Sequence, residues 1–158
     1  MIKEQKGITM LTLVITIIVI IIIAGVTFSL SRGLVKESEL KTDITNMLLI
    51  QARADVIYDK NQFDDTVSLV GTTVTSEMIN KYGIEAEKWY VWSNKETTEE
   101  GKISAKDELN NLNINIKDDE FYIVNYETSE VIYSEGYTDL DKNTVYKLSE
   151  MQNISKNK

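Results

Sequence analysis

The chain contains no cysteine, no histidine and no proline among its 158 residues. Without cysteine it cannot form disulfides, use a thiol nucleophile or build a zinc site of the cysteine type. Without histidine it lacks the usual general base and the commonest transition-metal ligand. It has no glycine-rich phosphate-binding loop, and a conventional serine nucleophile needs the missing histidine. These absences predict a protein that is not an enzyme and has no catalytic residues.

Basic residues are also scarce. Lys and Arg number 17 against 25 Asp and Glu, which gives a formal net charge of −8. Proteins that hold nucleic acid by its phosphates need clustered Lys and Arg, so no nucleic acid partner is expected. A length of 158 residues fits one soluble domain and one membrane segment rather than two domains.

What the chain does have is a long uncharged apolar run near its N-terminus. There is no charged residue from Ile8 to Ser31, and 15 of the 23 residues from Ile8 to Leu30 are Ile, Leu, Val or Phe. A helix of that length spans roughly 35 Å, which is enough to cross a bilayer. The run is too long for the apolar core of a secretory signal peptide. It therefore predicts a membrane-spanning helix, whose orientation the flanking Lys and Arg residues do not decide.

The residues at the start of this run form a specific motif. A short charged leader ends in Lys6-Gly7, and the apolar run begins at once as Ile8-Thr9-Met10-Leu11-Thr12-Leu13-Val14-Ile15. This pattern resembles the N-terminal signature of type IV prepilins and of the pseudopilins of type II secretion, in the variant common in clostridia-like Gram-positive bacteria. The resemblance implies that a prepilin peptidase cuts between Gly7 and Ile8 and that Ile8 becomes the N-methylated terminus.

The resemblance also implies partners and a location. Processed subunits of this family assemble with other pilin-like subunits into a type IV pilus or a secretion pseudopilus. The chain is then expected to be a single-pass membrane protein with its head outside the cell, and part of a cell-surface filament after assembly. Three systems stay open, namely a pilus, a competence apparatus and a secretion system, and so does a major or a minor role for the subunit.

One position departs from the family pattern. The family usually has glutamate at the fifth position after the glycine, where it pairs with the amino terminus of a neighbouring subunit, and this chain has Thr12 there. The neutral hydroxyl avoids a cost of roughly 2.5–3.5 kcal/mol for a carboxylate inside the membrane. Thr9, Thr12 and Thr16 share one helix face. They predict either an assembly stripe of interhelical hydrogen bonds or threonines that bond their own backbone carbonyls.

The apolar periodicity continues beyond the membrane run and predicts one long helix. Its apolar positions near one face are Leu40, Ile44, Met47, Leu48, Ala54 and Ile57. We therefore expect four segments: a leader at 1–7, a transmembrane and assembly helix at 8–31, its amphipathic continuation at 32–60, and a globular head at 61–158. Two separate helices joined at Gly33 are the alternative.

The rest of the pattern predicts an α+β fold, with a small antiparallel sheet of three or four strands packed on the second half of the long helix, as in pilins. Strands are expected within 66–74, at 88–93, and as a pair at 120–126 and 131–134. Short helices are expected after Thr75, ending at Gly83, and after Ser104. The final seven residues are expected to be frayed.

Aromatic residues alternate along the predicted strands. In the strand at 88–93, Trp89 and Val91 fall on one face, whereas Tyr90 and Trp92 fall on the other. This alternation predicts core packing on one side of the sheet and cover on the other, rather than a surface that stacks a ligand.

The best candidate for a metal site lies near the C-terminus. Asp139, Asp141 and Asn143 match positions 1, 3 and 5 of a calcium loop, and Glu150 matches position 12. Position 6 is Thr144, where the sharp turn needs glycine. The resemblance to pseudopilins, which often hold calcium in a loop towards the C-terminus, favours a calcium cofactor. The alternative is a solvated acidic turn with no cofactor.

Two other classes of protein fit parts of the sequence. An uncleaved, single-pass membrane-anchored binding module would display the same head on the same helix without polymerising. A sortase-linked surface protein would need a proline-containing C-terminal sorting signal and a second apolar segment, and the sequence has neither. Processing of the leader separates the assembly subunit from the anchored module.

Overall fold

The computed structural model describes residues 10–85, 88–95 and 104–157 and has an α+β fold, as predicted. The helices are α1 (Met10–Phe63), α2 (Ser76–Tyr82), α3 (Ala105–Asn111) and α4 (Leu148–Lys156). The strands are β1 (Thr72–Thr73), β2 (Trp89–Ser93), β3 (Phe121–Asn125), β4 (Val131–Thr138) and β5 (Thr144–Lys147). The chain divides into two compact units, Met1–Ser38 and Glu39–Lys158.

The helix α1 is 54 residues long and continues through Gly33, so the chain does not form two helices joined there. A Cβ built on Gly33 meets nothing within 4 Å, which shows that no close approach requires glycine. The helix ends at Phe63 because the Asp64 carboxylate accepts hydrogen bonds from the N–H and hydroxyl of Thr66 at 2.9 and 2.6 Å and turns the chain. Across the three described ranges, no helix meets the combined requirement of length and apolar character for crossing a bilayer.

One antiparallel sheet holds five strands in the order β1-β2-β3-β4-β5, more than the three or four predicted. The central pairing runs from Trp89 opposite Asn125 to Ser93 opposite Phe121. The β-prone stretch at 66–74 contributes only β1. Gly71 precedes it with φ 104°, and a Cβ there would lie 2.7 Å from the Val91 carbonyl oxygen. This close approach requires glycine and leaves β1 as a short edge strand.

The second half of α1 supplies one side of the main core. Its buried apolar residues, each at most 5% exposed, are Leu40, Met47, Ile50, Ala54 and Ile57. The sequence pattern also put Leu48 on this face, which is wrong, because its side chain is 40% exposed. Each residue of a helix turns by about 100°, so Leu48 points away from the face of Met47 while Ile50 returns to it.

The short helices α2 and α3 both begin at their predicted caps. The Thr75 hydroxyl accepts a hydrogen bond from the Met78 N–H at 3.4 Å, and α2 ends at Gly83 with φ 59°. The Ser104 hydroxyl accepts from the Asp107 N–H at 3.1 Å at the start of α3. Each side-chain oxygen satisfies an N–H that has no partner within the helix. The cap at Ser104 therefore fixes where α3 begins, beside α1.

The C-terminal segment corrects a prediction, since residues 152–156, which were expected to fray, complete the helix α4. Leu148 and Met151 are 2% and 0% exposed and belong to the main core. Glu150 accepts a hydrogen bond from the Lys147 N–H at 3.4 Å where the helix begins. Ile154, which lies among the residues expected to fray, is partly buried against the same core. The packing of these three apolar residues outweighs the tendency of a polar chain end to fray.

Candidate functional site

The first candidate site is an exposed apolar stretch of α1, residues Leu13–Ile23. Ten of its eleven side chains are apolar, and these are 46–64% exposed. Helices that are apolar on all sides are normally found buried, either in a membrane or among other helices. Any apolar cover lowers the free energy of such a stretch, because it removes the side chains from water.

The predicted processing and stripe residues lie at or before this stretch. Gly7, Ile8 and Thr9 lie outside the described residues. Thr12 and Thr16 both belong to α1, and the side chain of Thr16 is exposed among the apolar ones. Cleavage after Gly7, methylation of Ile8 and the threonine stripe therefore stay predictions.

An ion pair that the sequence did not reveal joins α1 to α3. Arg53 Nε lies 2.6 Å from Glu108 Oε2, and Arg53 Nη2 lies 2.8 Å from Glu108 Oε1. The side chain of Glu108 is 1% exposed and that of Arg53 is 31% exposed. The hydrogen bond to Glu108 raises the pKa of Arg53 above its usual value. A buried carboxylate needs such a partner, and the planar guanidinium bonds both of its oxygens.

The same turns of α1 also hold the connection between β3 and β4. Gln51 Nε2 donates a hydrogen bond to the Ser129 carbonyl oxygen at 2.5 Å, and the Ser129 hydroxyl donates to Asp55 Oδ1 at 2.5 Å. Ser129 has φ 56°, a left-handed conformation that suits a turn. Asn125 Oδ1 accepts from the N–H groups of Glu127 and Thr128 at 2.9 Å each. The turn is thus fixed by side chains from α1 and from β3.

The aromatic residues form core rather than an open surface, as the alternation predicted. The Tyr126 hydroxyl accepts from the Val70 N–H at 3.1 Å and from Trp92 Nε1 at 3.3 Å, and it donates to the Val70 carbonyl oxygen at 2.9 Å. Burial raises the pKa of Tyr126 above its usual value. Tyr90 packs with these residues in the main core, whereas Trp89 packs against a second cluster across the sheet.

Tyr126→Phe is expected to lower the free energy of unfolding by about 1–3 kcal/mol, because the buried N–H of Val70 loses its partner and the Val70 carbonyl oxygen keeps only the hydrogen bond from Trp92 Nε1 at 3.2 Å. Urea unfolding of the full chain in detergent, followed by tryptophan fluorescence, measures this. A loss below about 0.5 kcal/mol would show that the buried groups find other partners.

The calcium candidate is built into the turn between β4 and β5. The Asp139 carboxylate accepts hydrogen bonds from the N–H of Asn143 at 2.8 Å and from its Nδ2 at 3.3 Å. Glu150 bonds the start of α4. In the part of the chain that the structure describes, no group of three or more acidic side chains is arranged to hold a metal ion. Calcium binding by Asp139, Asp141, Asn143 and Glu150 stays a prediction.

A groove of about 390 Å³ lies beside β1. Its lining includes Thr72 and Thr73 and the paired carboxylates Asp118 and Asp119, which belong to the turn before β3. At its edge, burial acts to raise the pKa of Glu120, but hydrogen bonds from Lys117 Nζ at 2.6 Å and from the Lys117 N–H at 3.1 Å hold that pKa below its usual value. The groove offers hydroxyls and carboxylates that can hydrogen-bond a small polar ligand.

Comparison with known proteins gives no match to a family model, to a curated protein or to a solved structure.

Proposed function

We propose that the chain is a pilin-like structural subunit. A prepilin peptidase cuts it between Gly7 and Ile8, and Ile8 is N-methylated. Segment 8–31 occupies the membrane before assembly and then packs among the helices of other pilin-like subunits, in a type IV pilus or a secretion pseudopilus. The acidic head stays outside the cell and forms the outer surface of the filament.

The observation that carries this proposal is the division of one helix between two environments. The apolar side chains of Leu13–Ile23 are 46–64% exposed, whereas Met47 and Ile50, farther along α1, are 0% exposed beneath the head. Burial is worth about 25 cal/mol for each Å² of apolar surface, so the first part favours lipid or a bundle of like helices. The second part of the helix is already covered by the head. A helix built in this way suits a subunit that is anchored first and assembled later.

Assembly in this proposal moves the apolar stretch from lipid into a bundle of similar helices. Lipid tails are as apolar as these side chains, so the transfer is driven by packing and hydrogen bonding rather than by the hydrophobic effect. Thr12 stands where the family has its charged residue, and a neutral hydroxyl cannot set the position of a neighbour by charge. Another part of the subunit must then fix how neighbours align.

Mass spectrometry of the amino terminus tests the proposal in cells that have an active prepilin peptidase. The expected product begins at methylated Ile8. Gly7→Ala should be cut about 10–200-fold more slowly, because a pocket shaped for glycine must accept an extra methyl group. The matched control is Gly33→Ala, which adds the same methyl group where a Cβ meets nothing within 4 Å.

A chain that keeps Met1 to Gly7 in those cells would rule out processing at this site. Normal cutting of the Gly7→Ala variant would show that cleavage occurs elsewhere.

An uncleaved, membrane-anchored binding module is the second candidate function, and the groove beside β1 favours it. The hydroxyls of Thr72 and Thr73 and the carboxylates of Asp118 and Asp119 could bind a small polar ligand there. A module of this kind keeps its leader, so the same mass measurement separates the two functions.

A further inference from the structure

The groove beside β1 has an apolar part as well as its polar groups. Met78 of α2, Val91 of β2 and Phe121 of β3 all line it. Val91 is 7% exposed, and Met78 and Phe121 are partly buried against the second cluster of the head. Binding sites for small molecules are typically concave and largely apolar, with a few fixed polar groups. The groove can therefore hold the hydrocarbon part of a ligand.

The turn at 117–120 carries two carboxylates at the groove and is closed by three hydrogen bonds. The Glu120 N–H donates to the Lys117 carbonyl oxygen at 3.1 Å. The Lys117 N–H donates to Glu120 Oε2 at 3.1 Å, and Lys117 Nζ donates to Glu120 Oε1 at 2.6 Å. Asp118 and Asp119 are the two residues between these partners. Their backbone conformation is thus fixed without a ligand, which lowers the entropic cost of binding one.

Two further hydrogen bonds fix this turn against the sheet. Asn94, which directly follows β2, donates from Nδ2 to the Ile116 carbonyl oxygen. The N–H of Phe121, the first residue of β3, donates to the Ser134 hydroxyl oxygen at 2.9 Å. The two aspartates are therefore held in place relative to the strands that line the groove.

The groove has an excess of unpaired negative charge. Within the three described ranges, the carboxylates of Asp118 and Asp119 form no ion pair and accept no hydrogen bond. Glu120 is compensated by Lys117. Lys95 is the one basic residue among the described lining residues. Two unpaired carboxylates thus face a single ammonium group, so the groove attracts a cation and repels an anion.

We propose that the groove binds a primary ammonium group at the end of a short alkyl chain. The group has three N–H donors, which the carboxylates of Asp118 and Asp119 can accept together with a hydroxyl from β1. The alkyl chain packs on Met78 and Phe121, as the stems of lysine side chains do on apolar surfaces. This proposal deepens the binding role given to the groove in the second candidate function, and it does not depend on cleavage of the leader.

Two sources supply this chemistry, a free alkylamine and the side chain of a lysine in a protein. A bare metal ion would leave the apolar part of the groove unused. In the parts of the chain that the structure describes, no group of three or more acidic side chains is arranged to hold one. The apolar lining therefore favours an organic cation.

Titration of butylammonium into the isotope-labelled full chain in a nonionic detergent tests the proposal. The amide signals of Thr72, Ser93 and Phe121, which line the groove, should shift and reach saturation in the NMR spectrum. Butanol has the same chain without the charge and should bind at least about tenfold more weakly, whereas butyrate should give no saturating shift. Tighter binding of a lysine blocked at both ends would assign the group to a protein side chain, and equal or weaker binding to a free amine.

Variants of the groove should change the affinity in opposite directions. Asp118→Asn combined with Asp119→Asn should weaken butylammonium binding at least about fivefold, because both opposite charges are removed. Lys95→Met removes a like charge and should tighten binding about twofold. Asp59→Asn is the matched control, because Asp59 is exposed on α1, which packs in the main core across the sheet from Met78 and Phe121.

The proposal is overturned if butyrate or butanol binds as tightly as butylammonium, or if the double aspartate variant binds unchanged. An equal loss in Asp59→Asn also overturns it, since net charge rather than the groove would then be responsible. Weaker binding in Lys95→Met overturns the assignment of a simple cation. Failure of the proposed function is recognised separately, because a retained leader in a chain that binds butylammonium overturns processing alone, and methylated Ile8 in a chain that does not bind it overturns the ammonium site alone.

Discussion

Arg53→Met is expected to lower the free energy of unfolding by about 3–5 kcal/mol, because it leaves the buried carboxylate of Glu108 without its cation. The side chain of Glu108 is 1% exposed, so water cannot replace the guanidinium that now bonds both of its oxygens. Urea unfolding of the full chain in detergent measures the loss. The fluorescence of Trp89 and Trp92 reports on the head, since both tryptophans lie in β2.

Two further variants separate the lost partner from the lost packing. Arg53→Lys keeps the charge but cannot bond both oxygens at once, so an intermediate loss is expected. The double variant Arg53→Met with Glu108→Leu removes the buried charge as well and should regain most of the stability, because well-packed apolar residues often replace a buried ion pair at little cost. A loss of less than about 1 kcal/mol in Arg53→Met would show that the Glu108 carboxylate finds another partner.

Ile50→Ala and Leu49→Ala are expected to lower the free energy of unfolding by very different amounts, although the two residues are neighbours in α1. Ile50 is 0% exposed in the main core, so its truncation should cost about 2–5 kcal/mol. Leu49 is 41% exposed on the opposite side of α1, so its truncation should change the unfolding free energy by less than about 1 kcal/mol.

The same urea titration measures both effects. Equal losses of stability in the two variants would mean that α1 is rotated from the orientation described.

Local signals made much of the head predictable. The alternation at 88–93 correctly gave both the strand β2 and the opposite faces of Trp89 and Trp92. The caps at Thr75 and Ser104 correctly gave the start of α2 and α3, because an N-cap bond spans only three residues. The length of α1 followed from a periodicity that continues across Gly33.

Features that depend on distant residues were not predictable in this way. Glu108 reads as a solvated helix residue, and its burial depends on Arg53, 55 positions away. A hint existed, since Arg53 is one of only two arginines in a chain rich in lysine, and arginine is preferred for buried pairs. An approximate count of the helical period places Leu48 on the core face of α1, whereas in the structure Ile50 is the buried residue there. The extent of β1 depends on the approach of Gly71 to β2.

The candidate sites also differ in whether they depend on local sequence or on residues that are distant in the chain. The motif at Gly7 and Ile8 is predicted to be a signal for a peptidase, and such a signal can be recognised without knowledge of the fold. The groove beside β1 becomes visible only when the fold is known, because Thr72 and Thr73 are far in sequence from Asp118 and Asp119.

The contacts of α1 with Ser129 and Glu108 also transmit force from α1 to the head. Gln51, Arg53 and Asp55 lie within five residues of each other, so tension along α1 reaches the turn between β3 and β4 and the helix α3 through these polar contacts, in addition to the buried apolar residues of α1. β3 is the middle strand of the sheet and is bonded to a neighbour on each side. A load that reaches β3 is therefore shared with both β2 and β4 through their hydrogen bonds.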